Sequence, residues 1–175
     1  MPGESFLLIH DDCRQKADML AHCIVENGFS LTKLPYDRKN ALDSGREAFY
    51  ELTEKGYAPV VAGYGRACAL AVSIAQRCPV QGLICLWPED ERSDHRRYIA
   101  SVAVARNLFL IVAPTLIAVD GAASYLAKRM IEQLPRGILT LVETDESQTW
   151  SRGTAFTILN GFAAISSRKS SSCVK

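Results

Sequence analysis

Residues 59–86 read PVVAGYGRACALAVSIAQRCPVQGLICL, and the order of patterns in this stretch decides the fold class. Pro59-Val-Val-Ala62 is a short continuous apolar run, as expected of a strand covered on both faces. Gly63-Tyr64-Gly65 then punctuates the chain as a turn. Ala67, Leu70, Ala71, Ile74 and Ala75 follow at helical spacing, with small side chains that let a helix lie close on a sheet. Val80 to Leu86 is apolar again and reads as the next strand. A strand, a helical crossover and a second strand make a parallel pair.

The same alternation extends in both directions. Phe6–Ile9 is a strand candidate, and Ala17, Leu20, Ala21, Ile24 and Val25 form a helical stripe that Asn27-Gly28 ends. Ser30–Leu34, closed by Pro35, reads as an edge strand, and Asn40–Lys55 as a charged helix ending at Gly56. Beyond the central stretch, a polar segment from Pro88 to Arg97 leads into a helix over about Tyr98 to Asn107. Leu116–Val119 is a fifth strand, with Leu108–Val112 competing for the role. A helix over Ala122–Leu134, a sixth strand over Ile138–Val142 and a last helix through Ala155, Ile158, Leu159, Phe162 and Ala163 complete the pattern. The expectation is an α/β fold: three layers, α/β/α, around a mostly parallel sheet of six strands. One domain over 1–165 and a flexible Ser/Lys-rich tail over 166–175 account for the chain.

Composition narrows the function classes. The chain has 175 residues with 48% hydrophobic and 22% charged, which is globular and not disordered. Twenty Lys and Arg against nineteen Asp and Glu leave +1, no electrostatic footprint for nucleic acid or for an anionic membrane. Six cysteines (Cys13, Cys23, Cys68, Cys78, Cys85, Cys173) have no metal-finger spacing and lie mostly in apolar patterns, which predicts a reducing, cytoplasmic compartment and no metal or cofactor. Residues 99–119 approach the length of a membrane span, but Arg106-Asn107 and Pro114 interrupt them, so no span is expected.

In an open sheet of this kind, ligands sit beyond the carboxyl ends of the strands. The stretches to inspect are His10-Asp11-Asp12, Gly63-Tyr64-Gly65-Arg66, Trp87-Pro88, Asp120-Gly121 and Glu143–Ser147. The Val60–Ala71 segment, with Pro79–Pro88 after it, resembles the nucleophile-elbow region of α/β-hydrolases. Leu7–His10 is similar to the strand that ends in their oxyanion loop, Ala113–Gly121 to the strand presenting the acid, and Leu134–Val142 to the strand before the histidine loop. The resemblance runs over roughly 6–165 and implies a minimal hydrolase-like domain with no cap.

It also implies where a triad would stand. Gly65 occupies the serine position of the G-x-S-x-G pattern, so the nucleophile is missing. The acid position falls at Asp120 or, by the usual offset, nearer Ala123. The base position falls among Thr144, Asp145, Glu146 and Ser147, and the three histidines (His10, His22, His95) all precede the sixth strand. Triad chemistry is therefore not expected. The predicted role is a catalytically degenerate hydrolase-like module that binds a small acyl-type or anionic ligand, or a protein partner. Its candidate site comprises His10, Asp11, Tyr64, Gly65, Arg66, Trp87 and Asp120. The alternative is a hydrolase whose catalytic groups have moved to His10, Cys68 or the Asp11/Asp12 pair. Two plainer expectations accompany these: Cys68 buried as a small hydrophobe, and Asp120 as N-cap of the helix that follows it. Ile9-His10-Asp11-Asp12 also resembles the start of phosphorylation receiver domains, but Gly63 and Ala113 stand where these need their phosphoacceptor Asp and Lys.

Overall fold

The computed structural model describes residues 4–10, 14–36, 41–90, 101–121, 123–144 and 158–160. Six strands form one sheet: β1 (Glu4–His10), β2 (Ser30–Pro35), β3 (Ala58–Tyr64), β4 (Gly82–Leu86), β5 (Thr115–Val119) and β6 (Leu139–Glu143). Between them run α1 (Arg14–Glu26), α2 (Ala41–Glu54), α3 (Ala67–Arg77), α4 (Ser101–Ala105) and α5 (Tyr125–Gln133). Every neighbouring strand pair is parallel and the order is β2-β1-β3-β4-β5-β6. Winding therefore reverses between β1 and β3, which opens a crevice at their carboxyl ends.

The period-two alternation of the strands divides the core into two layers. Leu7, Ile9, Val61, Leu83, Cys85 and Ile117 point to the face covered by α2, α3 and α5. Phe6, Leu8, Val60, Ala62, Ile84, Leu86 and Leu116 point to the other, covered by Ala17, Leu20 and Ile24 of α1 and by Ile158 and Leu159. Both faces being covered explains why the central strands read as unbroken apolar runs. β2 and β6 are the edges, and their burial alternates between partly buried and exposed.

Three local expectations are corrected. Leu108–Leu110 is a 3₁₀ turn and not a strand, because Pro114 lies before the first residue of β5 and Phe109, Leu110 and Val112 face outward. β4 begins at Gly82, since Val80 N–H bonds back to Cys78 in a tight turn and leaves the ladder. α5 begins at Tyr125, three residues later than its periodicity suggests. The tail over 166–175 lies outside the described residues.

Helix and sheet approach closely at Gly63. A Cβ placed there would stand 2.8 Å from Cys68 Cα, 2.9 Å from Ala67 O and 2.9 Å from Ala71 Cβ. Two of these three atoms are backbone, so no side chain can step aside. Gly63→Ala is expected to push α3 off the sheet and cost about 2–3 kcal/mol in chemical denaturation. Gly137→Ala, where a Cβ meets nothing within 4 Å, should stay within about 0.5 kcal/mol of the parent.

Candidate functional site

The β3–α3 turn is a sharp elbow. Gly65 holds φ +59°, a left-handed conformation that L side chains rarely adopt. Its N–H donates to Leu86 O at 2.9 Å, and its own carbonyl accepts from Cys68 N–H and Glu89 N–H, both at 3.2 Å. The apex is thus tied to β4 and to the segment after β4. A Cβ on Gly65 would sit 3.7 Å from Glu89 Cδ, so the face where a nucleophile would project is open except for that carboxylate. Arg66, the residue just before α3, lies 3.7 Å from Glu89, an ion pair between half-exposed side chains that adds little stability.

Cys68 is turned away from this rim. Its thiol is fully buried, 3.2 Å from Gly63 O and 3.5 Å from Leu86 O. Burial pushes the thiol well above its ordinary range, and neighbouring Cys85 raises it further. A nucleophilic cysteine needs an accessible, lowered thiol, so Cys68 does not fit the part of a relocated catalytic group.

The strongest convergence lies one strand further along. A cleft of about 250 Å³ opens between the ends of β4 and β5, lined by Trp87, Pro88, Glu89, Val119, Asp120, Ala123 and Ser124. Trp87 holds φ +44°, the one positive φ among described non-glycine residues. Such strain persists only where the surroundings fix it. Here Trp87 N–H donates to Ala118 O at 2.8 Å and its indole N–H to Thr144 Oγ1 at 2.9 Å. Thr144 Oγ1 in turn donates to Val119 O at 3.1 Å, which joins the ends of β4, β5 and β6. The Tyr64 ring, itself buried, packs on Trp87 at 5.9 Å between centroids.

The floor at α5 is closed by its own caps. Ser124 Oγ accepts from Ala127 N–H at 3.2 Å, while Asp90 accepts from Tyr125 N–H at 2.6 Å and Leu126 N–H at 3.1 Å. Asp120 is therefore not the N-cap, because residues 121–123 separate it from the helix and two other side chains already take its first N–H groups. Instead it lines the cleft, as does Ala123, the other position considered for the acid.

Of the predicted site, the structure gathers Trp87 and Asp120 into the cleft and links Tyr64, Gly65 and Arg66 to its edge through Trp87 and Glu89. His10 stands apart, at the end of β1 with its carbonyl accepting from Tyr36 N–H. Asp11, Asp12 and Ser147 lie outside the described residues. Glu89 and Ser124 escaped the sequence, although the strand-end position of the first, two residues after Trp87, is a signal that could have found it. Among the described residues, no three His, Cys, Asp or Glu side chains gather as a metal site would require, and no helix is long and apolar enough to cross a membrane.

No family model and no curated protein matches the sequence. Solved structures match closely in shape. One of the metagenome-derived lipolytic enzymes LipS and LipT superposes with a TM-score of 0.72 at 11% identity, covering 94% of each chain. A monoacylglycerol lipase from Paleococcus ferrophilus gives 0.67 at 12% identity over 92% of this chain and 94% of its own. An alpha/beta hydrolase enzyme from the sediment metagenome of the lagoon of Mar Chica, Morocco, gives 0.63 at 16%, over 91% and 90%. The chain has the α/β-hydrolase fold, in a small form.

The buried state of Cys68 sets a concrete expectation. In the folded protein it should resist alkylation at neutral pH and label fully only after denaturation, as peptide mapping would show. Because its folded value lies above the unfolded one, the thiol is protonated in both states at neutral pH and its ionisation leaves stability unchanged there. Stability should fall as pH rises past about 8.5, where the unfolded thiol ionises and the folded one does not.

Proposed function

We propose that this protein is a hydrolase-fold binding module: it keeps the elbow of the fold without a covalent catalytic step and holds a small acyl-type ligand in the cleft beside it. Gly65 carries this reading. It stands at the elbow apex at φ +59° and offers no oxygen, sulfur or nitrogen side-chain atom to attack a carbonyl. The described side chain nearest a Cβ placed there is Glu89, which is an acceptor and general base by type and not a nucleophile that carries an acyl group through the elbow route.

The cleft supports the ligand class. Val119, Ala123, Pro88 and Trp87 supply apolar wall, and the volume suits a small molecule. The charged side chains among the described lining are Glu89 and Asp120, both acidic, which disfavours an anion. The helix N–H groups that could have attracted one are already taken by Asp90 and Ser124. Of the two small-ligand classes suggested by the sequence, the uncharged acyl-type ligand is therefore retained.

The test pairs catalysis with binding. The native protein should neither hydrolyse p-nitrophenyl esters above background nor take a fluorophosphonate label. A thermal-shift screen of short neutral esters and amides should find stabilising compounds whose effect disappears in Ala123→Phe, which fills the cleft. Turnover abolished by His10→Ala would instead establish a relocated catalytic centre and overturn the binding-module reading.

A further inference from the structure

At the opposite end of the sheet from the cleft, the segment leading into β5 exposes large apolar side chains in close succession. Phe109 and Val112 are each 74% exposed, Val102 is 50% and Leu110 is 46%. Leu108 and Ile111 are buried between them, so the backbone is anchored while its outer side chains project. Isolated surface apolar residues need no explanation, but four on one short segment do.

The ends of the neighbouring elements add charge of one sign. Arg106 is exposed two residues before the 3₁₀ turn. Arg77 ends α3, whose Gln76 side chain donates to Val104 O of α4 at 2.7 Å and so ties the two helices. Arg136 lies in the turn before β6, and that turn is tied to the start of β5 by the 2.7 Å bond from Thr115 N–H to Ile138 O. None of the three arginines is paired with a carboxylate among the described residues, whereas nearby Glu132 is held by Arg129.

We infer that this end of the molecule docks on an anionic lipid surface, with Phe109, Leu110 and Val112 entering the interface and Arg77, Arg106 and Arg136 meeting headgroups. Two features select this occupant. The apolar side chains protrude, and a bilayer accepts protruding side chains without requiring a matching groove. A second copy of the chain fits less well, because a two-fold contact through this patch would bring each basic rim against its own equivalent. An anionic surface uses all three cations instead. Docking of this kind leaves the cleft, at the other end of the strands, facing away from the membrane.

Co-sedimentation of the full chain with vesicles tests the inference. Vesicles of two parts phosphatidylcholine to one part phosphatidylglycerol should bring down the native protein, and pure phosphatidylcholine should bring down far less. Phe109→Ser combined with Val112→Ser should lower binding at least about tenfold. Arg106→Gln should lower it about fivefold on the anionic vesicles alone. All three positions are solvent-facing, and an unchanged melting temperature confirms that the variants fold. A native protein that stays in the supernatant, or binding that survives the double substitution, overturns the inference. So does a native dimer in sedimentation equilibrium that the double substitution dissociates, since the patch would then belong to a second copy.

Discussion

The close approach of α3 to β3 at Gly63 is the constraint on which the rest of the structure depends. Only a residue without a Cβ allows the Ala67 carbonyl and Cys68 Cα to come within 3 Å of where that atom would be. That contact forces the chain through a sharp reversal, and the reversal in turn requires the positive φ of Gly65. From there the register follows. Ile9, Gly63 and Cys85 lie abreast on β1, β3 and β4, and Tyr64, Leu86 and Ala118 form the next row. The elbow apex, Trp87 and Val119 therefore emerge together at the carboxyl end of the sheet.

A hydrolase needs this geometry to hold a nucleophile in a strained conformation. Glycine at the apex relieves that strain and, in the proposed reading, leaves the elbow without its nucleophile. Backbone strain is found instead at Trp87, whose ring and amide are fixed by Thr144 and Ala118. Backbone strain of this kind marks functional clefts in general, and here it sits at the cleft between the ends of β4 and β5. The acidic groups follow the same logic: Asp90 is spent on the start of α5, and Glu89 is shared with Arg66.

The sheet was legible in the sequence because its physical cause is local. Runs such as Phe6–Ile9 and Leu83–Leu86 are apolar on both sides, since both faces are covered, and the intervening helices carry small residues where they touch the sheet. The elbow was legible for the same reason, as Gly63 leaves no room for a Cβ and Gly65 takes a φ that L side chains rarely adopt. The cleft was only half legible. Trp87 and Asp120 could be placed at strand ends by counting, but the role of Asp90 depends on a contact thirty-five residues along the chain that no local pattern encodes. Asp120 looked like a cap because Asp before a helical stripe usually is one. The structure starts that helix later and hands the task to Ser124 and Asp90. The 3₁₀ turn at Leu108–Leu110 misled for a related reason: it is apolar like a strand, yet two of its three side chains face outward.

The central claim is that the elbow cannot form a covalent acyl intermediate, and intact-mass spectrometry of the native protein after exposure to p-nitrophenyl acetate tests it directly. The unmodified mass alone is expected, together with release of p-nitrophenol at the rate of the uncatalysed reaction. A stoichiometric acetyl adduct formed in a burst, and mapped to a residue at the carboxyl ends of the strands, would contradict the account.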